Sequence, residues 1–279
     1  MKSNFNSKVP TLIKKDEVNL FSLMAELFNT SHSKSTFVKK VHGRTGFINY
    51  NSTILGGTKT IEIADLQLIT CNRKTNEIRI CFIQAKYRPG NYRQFLTFKA
   101  NLFQWELLKN KPDIIDAYHN GFPTNILNFT TYKSITSFGI FYEDKNGEID
   151  FLYTLPKHIS KSNNNEHQTM NFYGNSYCPN ILCTKGFMPN ETISTCSMDI
   201  FEKEVLACRI GAPVVGNIKI YLAGLLRTIR SNNSNEIQEI LNEFNSRLGN
   251  VSDNIPVEVN YPNTILLLTD GNEITKNYR

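Results

Sequence analysis

Three side chains carry the chemistry this sequence can be read for: Asp65 in the run IEIADLQLI, and Gln84 and Lys86 in the run RICFIQAKY. A carboxylate and a side-chain amide oxygen are hard donors suited to a divalent cation such as Mg²⁺. The backbone carbonyl of Ala85, between Gln84 and Lys86, offers one more oxygen. The Lys86 ammonium can orient an attacking water or stabilise negative charge that grows on a substrate. A metal that polarises a phosphate and acidifies water completes what hydrolysis of a phosphodiester needs.

That chemistry requires the three residues on one small patch. Residues 59–70 (KTIEIADLQLIT) and 77–87 (EIRICFIQAKY) read as strands, with the polar turn NRKTN between them. Alternation puts Gln84 and Lys86 on one face. With the turn centred on residues 74–75, Asp65 comes opposite Gln84 or Lys86, at a Cβ separation of about 5 Å. A slip of one residue would scatter the group. The competing reading is a cross-strand Asp65–Lys86 ion pair on a solvent-facing sheet, with Gln84 exposed beside it. The apolar neighbours in both runs weigh against it.

The surrounding elements must position this hairpin. Asp16 is placed to cap a helix from Glu17 to about Phe28, with Leu20, Phe21, Met24, Leu27 and Phe28 in one stripe. Glu17 lies on the stripe side and Glu26 opposite. Residues 29–58 are polar and Gly-punctuated, and read as loop with a short strand or two. Pro89-Gly90 is expected to end the second strand. Residues 92–109 have helical spacing, which sets Lys99 and Glu106 on one stripe with Phe95, Leu102 and Phe103. There they either reach the site or pair and snorkel. Residues 134–143 and 148–155 read as strands joined by the turn DKNG. Residues 160–176 read as a surface loop, residues 201–208, 217–230 and 236–247 as helices, and residues 257–260 and 264–268 as closing strands. The order predicts a mixed α/β fold, a central mixed β-sheet flanked by helices, with a largely helical C-terminal portion. Residues 1–160 would form the catalytic core. Residues 161–279, separate from the core or continuous with it, would serve recognition or dimerisation.

Composition excludes several classes. The chain has 279 residues, 40% hydrophobic and 20% charged, enough for a sizeable core. No apolar run reaches the length of a membrane-spanning helix. The N-terminal residues lack the apolar stretch of a secretory signal, so the expected location is the cytoplasm. Six cysteines in a chain this long do not make a disulfide scaffold, and the spacing of Cys178, Cys183, Cys196 and Cys208 misses the usual zinc pairs. Gly-rich phosphate loops, GxSxG and HExxH are absent. The net charge of +6 is uneven. Residues 1–111 hold 18 Lys/Arg against 7 Asp/Glu, and the remainder is acidic. A basic field of this kind suits a polyanion, although solvated charge alone would also produce it. Arg88, Arg93 and Lys99 near the hairpin are candidate phosphate contacts, and Arg44 in HGRTG could read guanine edges in a groove.

IADL at residues 63–66 and QAK at residues 84–86, with 18 residues between Asp65 and Gln84, resemble the PD-(D/E)XK nuclease superfamily. In that superfamily an acidic residue on one strand is followed, on the next, by (D/E)-x-K. Ala64 stands where Pro is frequent. Gln84 replaces the acidic residue and leaves one fewer negative charge for the metal; a Q-x-K variant occurs among Type II restriction endonucleases. The resemblance spans about residues 16–155. It implies a restriction-endonuclease-like core, Mg²⁺ held by Asp65, Gln84 and the Ala85 carbonyl with Glu17 approaching from the first helix, and Asp65, Gln84 and Lys86 as catalytic residues. It further implies cleavage of double-stranded DNA to 5′-phosphate and 3′-hydroxyl ends, usually by a homodimer on a palindromic site. The length favours a Type II restriction enzyme over a minimal resolvase. The alternatives are a repair or recombination nuclease of the same superfamily and a non-catalytic DNA-binding protein.

Overall fold

Residues 66–72 (LQLITCN) are apolar or uncharged throughout, and a strand of that kind needs cover on both faces. The computed structural model supplies that cover. It describes residues 1–31, 35–39, 46–91, 97–115, 121–144, 146–172, 195–231, 237–249, 251 and 261–270, the side chains of residues 90 and 91 excepted. The helices are α1 (Lys2–Lys8), α2 (Glu17–Ser31), α3 (Leu102–Asn110), α4 (Met198–Leu206), α5 (Asn217–Ser231) and α6 (Gln238–Leu248). The strands are β1 (Thr36–Lys39), β2 (Phe47–Asn51), β3 (Thr58–Glu62), β4 (Leu66–Asn72), β5 (Ile78–Asn91), β6 (Thr97–Asn101), β7 (Thr136–Glu143), β8 (Ile149–Thr154), β9 (Ile159–Lys161), β10 (His167–Phe172), β11 (Thr195–Ser197), β12 (Ala212–Pro213) and β13 (Asn263–Thr269).

The central sheet runs β1-β13-β4-β5-β7-β8-β11, with β12 added against β5. It is mixed: β13–β4 and β5–β7 are parallel, β4–β5 and β7–β8 antiparallel. Side chains of β4 and β5 alternate between two cores. Leu66, Leu68, Ile83 and Ala85 pack with α1, α2 and α4, whereas Ile69, Ile80 and Phe82 pack with α3, α5 and α6. The mixed α/β class with a helix-flanked sheet is as the sequence indicates. The C-terminal portion carries three helices, and it also returns β11, β12 and β13 to the central sheet. Gly139, paired with Ala85 across β5–β7, cannot take a side chain, because a Cβ there would stand 2.5 Å from the Phe151 ring. No helix among the described residues is long and apolar enough to cross a membrane.

Four local expectations are corrected. Residues 59–70 are two strands, not one. Ile63 and Ala64 are consecutive yet buried in the same core cluster, which strand alternation forbids, so the chain bends between β3 and β4. Pro89-Gly90 does not end the second strand; β5 continues to Asn91 with a shift of register against β7, as expected where Pro removes a ladder donor. The expected helix over 92–109 begins only at Leu102. Residues 97–101 alternate as a strand, and the Asn101 side chain caps α3 by accepting from the N–H groups of Phe103 (2.8 Å) and Gln104 (3.4 Å). Residues 160–176 are not wholly loop, since β9 and β10 join β6 in a three-stranded sheet that buries Gln168, Met170 and Phe172. The expected strand at 257–260 lies outside the described residues.

Candidate functional site

The bend between β3 and β4 puts Asp65 just ahead of the ladder. Its N–H donates to the Ile83 carbonyl (3.1 Å) and its carbonyl accepts from Asn263 Nδ2 (3.1 Å). The register Leu66↔Ile83 carried one step back sets Asp65 opposite Gln84. Asp65 Oδ2 accepts hydrogen bonds from the Ala85 N–H (2.7 Å) and from Gln84 Nε2. In a ladder the N–H and C=O of one residue face the same neighbour, so the Ala85 carbonyl lies on the edge its N–H shares with Asp65.

The solvent-facing reading fails on burial. Gln84 is 1% exposed and Lys86 is 6% exposed. Lys86 ion-pairs with Glu17 at the start of α2, Nζ to Oε1 3.7 Å, so the helix glutamate does reach this cluster. Asp16 caps that helix by accepting from the Asn19 N–H (2.9 Å), which fixes where Glu17 stands. Glu17, Phe21, Asp65, Ala85, Asn263 and Thr264 line a shallow cleft between α2 and the sheet.

Glu62 joins the group, and sequence reasoning missed it. A straight strand through residues 59–70 sends residues three apart to opposite faces; the bend at 63–65 cancels that rule. Burial pushes the Glu62 carboxyl up to about 8, with Asp65 adding to the shift, Lys86 opposing it and Glu17 adding again. Burial likewise pushes Asp65 up to about 6, against the pull of Lys86 and the Ala85 N–H. Three carboxylates, Glu17, Glu62 and Asp65, therefore draw on the Lys86 ammonium, an arrangement that favours either bound protons or a cation.

Arg88 is half-buried on β5, two residues beyond Lys86 and so on its face. Lys99 is not helical; it is exposed on β6 and donates to Thr169 Oγ1 (3.0 Å). Glu106 neither reaches the cluster nor pairs with Lys99. It is 1% exposed and accepts from Tyr50, Ser52, Thr53 and Ile54. Burial would raise its carboxyl, but hydrogen bonds from Ser52, Thr53 and Tyr50 outweigh burial and hold it below the usual range. Arg44 and Arg93 lie outside the described residues.

Among the described residues no three His, Cys, Asp or Glu side chains gather closely enough to hold a metal ion by themselves. A cation here would draw on a mixed oxygen set: Asp65, the Gln84 amide and the Ala85 carbonyl. The Gln84 amide fits that role. Its Oε1 is buried with no hydrogen-bond partner among the described residues, while Nε2 faces Asp65. Turning the amide over would bring Oε1 toward the carboxylate, which is favourable only with a cation between the two oxygens. Comparison with protein-family models, with curated proteins and with solved structures finds no match.

The raised carboxyls set a pH dependence of stability without metal. In the unfolded chain they titrate near 4; folded, Asp65 and Glu62 keep protons to about 6 and about 8. Between those values the native state binds more protons than the unfolded one, so these groups cost stability as pH rises. In EDTA, the difference in Tm between Glu62→Gln and wild type should grow in favour of the variant from pH 6 to pH 8. Melting curves at several pH values check this, and a constant difference removes Glu62 from the cluster.

Proposed function

We propose that the chain is a Mg²⁺-dependent endonuclease acting on double-stranded DNA, of the Type II restriction kind, working as a homodimer in the cytoplasm. The observation that carries this reading is the convergence of Asp65, Gln84, the Ala85 backbone and Lys86 at the point where β4 and β5 part, with Glu17 and Glu62 beside them. Mg²⁺ bound there would polarise the scissile phosphate and acidify a water. Asp65, with Gln84 and the Ala85 carbonyl, would hold it. Lys86 places positive charge where negative charge grows in the transition state. Glu17 orients Lys86, and without a cation Gln84 Nε2 holds the Asp65 carboxylate. The excess of Lys and Arg in residues 1–111 supplies attraction to the phosphate backbone.

Incubation with phage DNA and Mg²⁺ tests the reading on a gel. Discrete bands identify a restriction enzyme, smearing or structure-dependent nicking a repair nuclease, and a shift without cleavage a binding protein. The basic field has its own test. About five phosphate contacts should give a slope of log K against log salt near −4 or steeper. A flat dependence between low and physiological salt would remove DNA as the partner of that field.

A further inference from the structure

The β2–β3 ribbon is a sheet of its own, outside the central one. One face is packed: Ile48 and Tyr50 are buried, and the Lys59 ammonium lies 4.7 Å from the centre of the Phe103 ring. The other face is a polar ladder. Thr58 Oγ1 donates to Asn51 Oδ1 (3.1 Å), and Thr60 Oγ1 donates to Asn49 Oδ1 (2.6 Å), each across a register pair. Each asparagine oxygen accepts one of these bonds and keeps a second lone pair, and each Nδ2 has no partner among the described residues. The next pair on that face is Phe47 with Glu62. Period and register therefore put the ladder in line with the candidate site, spanning roughly 13 Å from Thr58 to Glu62 at ~3.3 Å per residue.

The ribbon is held firmly. Its tip is tied to α3 by the five hydrogen bonds to Glu106. The open edge of β2 is closed by a bridge to Ile115: its N–H donates to the Asn49 carbonyl (2.7 Å), and the Asn49 N–H donates back (3.2 Å). A two-stranded ribbon fits the major groove of B-DNA, where an asparagine amide matches the donor and acceptor pattern of adenine and threonine serves either. The narrow major groove of an RNA duplex would not admit it.

We propose that the β2–β3 ribbon enters the DNA major groove and reads base pairs beside the cleaved phosphodiester through Asn49 and Asn51. Thr58 and Thr60 orient the two amides. The rungs are about two base steps apart, so the reading covers a few adjacent positions. This inference rests on the nuclease reading for the position of the cut, and the test separates the two.

Sites are selected from a random duplex library with Ca²⁺ in place of Mg²⁺, using the full chain as wild type, Asn49→Ala/Asn51→Ala and Asp65→Asn. Wild type and Asp65→Asn should enrich one motif. The double variant, with wild-type Tm, should lose preference at least tenfold per base at the adjacent positions the ribbon reads and keep it elsewhere. An unchanged motif in the double variant, or wild-type binding without any motif, overturns the ribbon proposal. Mapping of cut ends decides the nuclease reading separately. Asp65-dependent cutting at relaxed sites by the double variant supports both. Cutting at unaltered sites leaves the nuclease and removes the ribbon. No binding to the library at all overturns both.

Discussion

Asp65→Asn should abolish DNA cleavage while the protein stays folded and still binds DNA. The Asp65 carboxylate is the one charged oxygen donor hydrogen-bonded to both Gln84 and the Ala85 N–H. Removing its charge removes the anionic part of the proposed cation site, and the loss should reach a thousandfold or more in rate, about 4 kcal/mol of barrier. The fold should not suffer. The asparagine oxygen can still accept from Ala85, and its new N–H₂ group can donate to Gln84 Oε1, which has no partner among the described residues of the wild type. One buried charge also disappears. In EDTA above pH 7 the variant should therefore melt at or above the wild-type temperature, and Mg²⁺ should no longer raise its Tm. Single-turnover cleavage and melting curves with and without Mg²⁺ measure both sides. Wild-type cutting by a folded Asp65→Asn preparation would end the assignment.

Where local rules govern, the sequence is readable. The α2 stripe and its Asp16 cap need only spacing and one side-chain oxygen, and both are present. The β4–β5 hairpin follows from its turn, and the pairing Leu66↔Ile83 sets Asp65 opposite Gln84. The alternation that serves so well here also misleads next door. Treating residues 59–70 as one straight strand hides the bend at 63–65, and with it Glu62. The bend lets Ile63 and Ala64 both enter the same core, a cluster that includes side chains as distant in sequence as those of α5 and α6.

Glu106 shows the same limit from the other side. Its helical spacing with Phe103 and Leu102 is real, yet the carboxylate turns to the β2–β3 tip, with Tyr50, Ser52 and Thr53 as partners more than fifty residues away in sequence. Spacing places a side chain on a face; it does not name what that face meets. Likewise β13 reads locally as a closing strand, but its place between β1 and β4, parallel to β4, depends on a return from the far end of the chain. That return also brings Asn263 to the Asp65 carbonyl. The pattern of the candidate site is thus local, and its support is not.

Lys86→Ala should be inactive, and Gln84→Glu should keep cutting. Lys86 is the ammonium that pulls on both Asp65 and Glu62, and it is ion-paired to Glu17. Without it, charge growing on the phosphate has no fixed partner, and a loss of at least a hundredfold is expected. Truncation also removes a buried stem, so Lys86→Met, which keeps the packing and not the charge, is the companion variant and should be equally inactive. Gln84→Glu differs in kind. Its proposed task is to present an oxygen, and a carboxylate presents two in nearly the same shape. A fourth carboxylate raises the repulsion in the metal-free cluster, so Tm in EDTA should fall. The same charge should lower the Mg²⁺ concentration for half-maximal cleavage, because ligand charge tunes affinity for hard cations. The rate itself can move modestly either way, since the added charge also repels phosphate. If that Mg²⁺ concentration is unchanged and folded Lys86→Met still cuts at the wild-type rate, neither residue stands at the metal. The hairpin would then be an ordinary part of the sheet, and any nuclease centre would lie elsewhere in the chain.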